Sequence, residues 1–130
     1  MEEASLSFDK RKHPRIKVTI PVQFKVINET DEAMMALEEK RSLLKGDSKD
    51  VSAEGLFLVC DRILEKGDIL KIEVVLPEES KPVRAFSEVI WVSDHGLSEG
   101  KHGAGIYFMA LRDEDADAIG RFIAHILKNP

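Results

Sequence analysis

A chain of 130 residues, 43% of them hydrophobic, with a net charge of −5, has the size of a single domain and can bury one core. No apolar run approaches the roughly 18 residues that a membrane helix needs, and Met1-Glu2-Glu3 lacks the basic start of a secretory signal; no membrane insertion and a cytoplasmic location are therefore expected. The single cysteine, Cys60, excludes an internal disulfide, and its place in an apolar run assigns it to the core.

The predicted elements begin with a flexible basic arm over residues 1–15, followed by a domain over 16–130. Lys10, Arg11, Lys12, Arg15 and Lys17 cluster with no acid among them, and Pro14 keeps the segment extended by fixing its own φ and biasing His13 away from helix. A focused cation cluster on an acidic chain suits a small anion. A long polyanion rewards many spread cations, so no nucleic acid is expected.

Ile16, Val18, Ile20, Val22, Phe24 and Val26 alternate with polar or small residues, the period of a strand with one buried face, and Pro21 marks an edge or bulge in it. An insertion over 28–47 reads as helical near residues 31–45. Thr30 or Asp31 can cap it, Met34, Met35, Leu37, Leu43 and Leu44 supply apolar surface, and Gly46 suits the C′ position. That surface has to pack on the domain's own exterior or on a second molecule, which makes Met34, Leu37 and Leu44 candidates for a homo-oligomer contact.

Asp50 to Cys60 is a second strand region broken by Gly55, and Ile69 to Leu76 a third, stopped by Pro77. A hairpin through Glu78 to Pro82 leads into Val83 to Val92, His95 to His102 is a loop, and Gly105 to Phe108 is a last strand. Trp91, in an apolar strand, is assigned to the core. Strands at this spacing predict an antiparallel barrel or sandwich. One helix closes the chain, with Asp113 as N-cap and Ala116, Ile119, Phe122, Ile123, Ile126 and Leu127 as an apolar stripe that packs as a lid.

Catalytic and metal chemistry find no constellation. Ser52 lacks a GxSxG setting, no GxxxxGK[ST] loop is present, and His13, His95, His102 and His125 fall on unrelated elements. Asp113-Glu114-Asp115 does not start an EF-hand, because Ala118 and Ala124 stand where glycine and glutamate are required; acids at a helix start complement its dipole. A non-enzymatic protein with no metal and no cofactor is expected.

Two stretches carry the functional reading. In Arg11-Lys12-His13-Pro14-Arg15, two guanidiniums offer planar forks that match phosphate oxygens or the O6/N7 edge of guanine. In Asp50-Val51-Ser52-Ala53-Glu54-Gly55, a carboxylate can accept from a guanine N1/N2 edge, a hydroxyl adds a second polar contact, and a glycine stands where backbone must come close.

Written as RxxxR and [D/N]xSxxG on a strand-rich chain, the pair resembles the PilZ domain family, bacterial receptors for cyclic di-GMP, over about residues 8 to 127. The resemblance implies a mainly β fold, a small antiparallel six-stranded split barrel with a C-terminal helix, to which the helical insertion is an addition. It also implies a cyclic di-GMP site formed by Arg11, Arg15, Asp50, Ser52 and Gly55, with Lys10 as a further candidate. Family members act in motility, biofilm or exopolysaccharide control by changing conformation on nucleotide binding and presenting a new face to a protein partner. Glu54 departs from the small residue frequent at its place. The alternatives are a PilZ-type interaction adaptor that binds no nucleotide, and a small nucleic-acid-binding β-barrel, for which the chain's one Trp and one Tyr are a poor stacking set.

Overall fold

Ile20, Val22 and Phe24 alternate inward from the first strand and are almost fully buried, and every later strand repeats the pattern around the same centre. The structure, a computed structural model, describes residues 15–27 and 44–128. Strands β1 (Ile16–Val26), β2 (Leu44–Val51), β3 (Gly55–Cys60), β4 (Ile69–Val74), β5 (Val83–Ser93) and β6 (His102–Leu111) precede helix α1 (Asp113–Lys128). They close into an antiparallel barrel in the order β1-β2-β3-β6-β5-β4, which resolves the choice between barrel and sandwich. Leu58, Leu70, Ile72, Val74, Val83, Val89 and Ile106 fill the interior with the β1 side chains, and Cys60 joins them as predicted.

Breaks in register shape the barrel wall. One lies between Lys17 and Ile20 of β1 against β2, just before Pro21, whose carbonyl accepts from Val75 N–H at 3.2 Å. A second lies between Ser48 and Asp50 of β2, where the Ser48 hydroxyl donates to the Asp50 carbonyl. In β5 and β6 the register shifts again between Phe86 and Ser87 and between Val89 and Trp91, so that Met109 and Ile90 are extra residues in their strands and stand exposed.

Helix α1 covers the barrel with Ala118, Ile119, Phe122 and Ile123, and Arg121 ties it to Glu79 at 3.1 Å. Burying Ile119, Phe122 and Ile123 contributes about 1.5–3 kcal/mol each. The stripe is narrower than the sequence suggests, since Ala116 and Leu127 face solvent while Asp115 turns inward. Asp115 is held by Arg112 Nε at 3.0 Å. The cap is Arg112 rather than Asp113: Ala116 N–H donates to the Arg112 carbonyl at 3.0 Å, which places Asp113 inside the first turn.

The end of the insertion is also corrected. Leu44, Lys45, Gly46 and Asp47 belong to β2, where Leu44 pairs with Phe24 and Gly46 with both Val22 and Cys60. Gly46 serves strand packing and not a helix C′ position: a Cβ there would lie 2.7 Å from the Val59 carbonyl oxygen. The rest of the predicted insertion, 28–43, lies outside the described residues, as do residues 1–14 with Lys10 and Arg11.

Candidate ligand-binding site

Asp50 to Gly55 is a hairpin rather than one broken strand. The Ser52 N–H donates to the Gly55 carbonyl at 2.8 Å, and the Ser52 hydroxyl accepts from Glu54 N–H at 3.2 Å while facing the Gly55 carbonyl at 3.4 Å. Serine is favoured here because its short hydroxyl reaches the backbone two residues on. Gly55 then enters β3 opposite Tyr107, and a Cβ at this position would lie 1.9 Å from the Ile106 carbonyl oxygen. The close approach that the sequence demands of this glycine is therefore, in this structure, to the backbone of β6.

The break in β2 aims Asp50. With the strand locally kinked, Asp50 Oδ1 accepts from Phe57 N–H at 3.0 Å, and Oδ2 lies 3.6 Å from Arg15 Nη1. Arg15 stands directly before β1, whose Ile16 and Lys17 pair with Val51 and Asp50, so the barrel brings the second arginine of RxxxR beside the first residue of the second motif. The carboxylate fixes one side of a half-exposed guanidinium, and a guanidinium has five N–H donors, more than one carboxylate can occupy.

Arg15, Ser52, Glu54 and Gly55 share a concavity of about 150 Å³ with Ile90, Trp91, Gly105 and Tyr107. Four of the five positions assigned from sequence are thereby placed on adjoining elements: Arg15, Ser52 and Gly55 line the cavity, and Asp50 sits behind Arg15. The fifth, Arg11, lies outside the described residues.

Trp91 is not in the core. It is 39% exposed, its ring stacks on Phe57 with centroids 5.3 Å apart and planes 20° from parallel, and it lies across Gly105, where a Cβ would come 2.1 Å from Nε1. The reason is the extra residue at Ile90, which shifts the in-out alternation by one so that an apolar stretch places its tryptophan outside. Phe57, Gly105 and Trp91 are successive partners across β3, β6 and β5, so the missing side chain at Gly105 lets the two rings meet. Gly103 and Gly105 flanking Ala104 were the available sequence signal for an outer face that carries rings.

The family model of the PilZ domain matches residues 9–125. The chain belongs to the PilZ domain family. Its barrel resembles Bacillus subtilis MotI/DgrA, an inhibitor of motility, with a TM-score of 0.69 at 17% identity over 93% of this chain and 53% of that one. The PilZ domain of Escherichia coli YcgR, solved with c-di-GMP, gives 0.66 at 16% identity over 92% of this PilZ domain and 93% of that chain. A tetrameric PilZ domain from Xanthomonas campestris gives 0.61 at 12% identity over 88% of each. This PilZ domain thus spans about half the length of the Bacillus protein. No curated protein matches the sequence. Among the described residues no helix is long and apolar enough to cross a membrane, and no group of His, Cys, Asp and Glu is placed to hold a metal ion.

Proposed function

We propose that this PilZ domain is a non-enzymatic receptor for cyclic di-GMP and that it signals to a protein partner in motility, biofilm or exopolysaccharide control. The observation that carries the reading is the Arg15 guanidinium held beside Asp50 at a cavity walled by the serine and glycine of the second motif. Arg15 supplies one planar fork for a guanine edge or phosphate, and Arg11, four positions upstream in the sequence, supplies the other. Lys10 adds charge to the same arm.

Asp50 acts on the ligand through position: its carboxylate orients Arg15 and keeps an acceptor near any guanine N1/N2 edge that enters. Trp91 and Tyr107 give the cavity flat apolar walls suited to a purine ring. The likeness to the YcgR domain solved with c-di-GMP, and to a motility inhibitor, supports the ligand and one of the processes. Residues 1–15 then act as an arm that ligand phosphates tie to the Asp50–Gly55 surface, giving the partner a new face.

Trp91 is the chain's single tryptophan, so its emission reports on this cavity alone. Titration with cyclic di-GMP is expected to change that emission saturably, and GMP at equal concentration is expected to do so only weakly. A flat response, together with no heat of binding, would reject the receptor reading.

A further inference from the structure

A second groove lies on the outer barrel wall away from the nucleotide cavity. It holds about 390 Å³ and is lined chiefly by Lys71, Arg84, Phe86, Ala110, Leu111 and Arg112. Lys71, Phe86 and Ala110 are consecutive partners across β4, β5 and β6, so the floor is one row of the sheet, and the start of α1 forms its far bank. Phe86 is 49% exposed in that floor, and Met109, an extra residue of β6, is exposed beside it. An aromatic side chain this open on a strand, next to further apolar surface, has the make-up of a contact anchor.

Charge selects what the groove meets. Lys71 makes no ion pair with any described residue. Arg84 is 57% exposed while its partner Glu73 is 20%, and Arg112 is 64% exposed while Asp115 beneath it is 7%. The acids lie underneath and the guanidiniums lie outside, each with N–H donors left over. Glu114 is the one acid of these pairs that is well exposed, and it sits on the helix side. The outward face is therefore cationic around an apolar floor, on a chain whose net charge is −5.

We propose that this groove docks an acidic segment of another protein that seats one large apolar side chain against Phe86. The carboxylates take Lys71, Arg84 and Arg112, and the apolar residue covers Phe86. Neither feature draws on the nucleotide site, so the proposal stands or falls separately from cyclic di-GMP binding.

The test is selection from a phage library of random 12-residue peptides on the intact protein, with counter-selection on the Phe86→Ser variant. Recovered peptides are expected to combine several Asp or Glu with one large apolar residue, and to bind the wild type about tenfold or more tighter than Phe86→Ser or Lys71→Glu. Raising the ionic strength to about 1 M should weaken them further. Both substitutions lie on the outer wall, so an unchanged melting temperature certifies the fold. Peptides lacking acidic residues, peptides that bind Phe86→Ser equally well, or no enrichment over the counter-selection would overturn the proposal. So would a wild-type dimer that Phe86→Ser dissociates in sedimentation, since the occupant would then be a second copy of this chain.

Discussion

Ser87 and Glu78 show how much a single position can hold against its surroundings. Ser87 is fully buried in β5, and its hydroxyl has no hydrogen-bond partner among the described residues, which costs on the order of 1 kcal/mol or more. Ser87→Ala is accordingly expected to raise stability by about 1 kcal/mol in urea unfolding, where most core substitutions lower it. Glu78 has φ of 70° in the turn after β4, where Glu79 N–H donates to the Leu76 carbonyl at 3.3 Å and Pro77 occupies the preceding corner. A turn of this shape takes glycine at that position without strain. Glu78→Gly should therefore stabilise by about 0.5–1 kcal/mol, read as a rise in thermal midpoint.

At the scale of elements, the hairpin from Asp50 to Gly55 has two duties. Its residues fix the backbone around them: Ser52 closes the turn, Asp50 accepts from Phe57 N–H of β3, and the Glu54 carbonyl accepts from Phe108 N–H of β6 at 2.8 Å. Gly55→Ala forces β3 and β6 apart, because the new methyl would overlap the Ile106 carbonyl oxygen. A loss of about 3 kcal/mol or more is expected in chemical denaturation, before any question of ligand arises. Binding by this variant should be judged per folded molecule.

Alternation along Ile16 to Phe24 and Leu70 to Val74 exposed the strands directly, because each has one buried face. Trp91 was hidden by the extra residue at Ile90: a bulge leaves no mark in composition, yet it turns the residue after it to the other face. The reach of β2 back to Leu44 was hidden for a different reason. Leu44 and Gly46 fit a helix end as well as a strand, and only pairing with Phe24 and Cys60 across the sheet decides between them. Arg15 beside Asp50 was foreshadowed by motif alone, while Tyr107 carried no local signal and reaches the cavity because Gly55 is its partner.

Taken whole, the molecule is a closed barrel that presents two different surfaces on one wall, since β5 and β6 contribute Trp91 and Tyr107 to one cavity and Phe86 and Ala110 to the other. The strands of the closed barrel hold the outward side chains of both surfaces in place. The proposed clasp of cyclic di-GMP over this barrel rests on the two arginines of RxxxR, Arg11 and Arg15. Calorimetric titration of cyclic di-GMP into the wild type and into Arg11→Ala/Arg15→Ala tests that clasp. Saturable binding by the wild type is expected, with a loss of about 2 kcal/mol or more for each arginine removed, the scale of a charge-assisted contact, and an unchanged melting temperature. Equal affinity in the wild type and the double variant, or no binding by the wild type, would show that the arginines do not clasp the nucleotide.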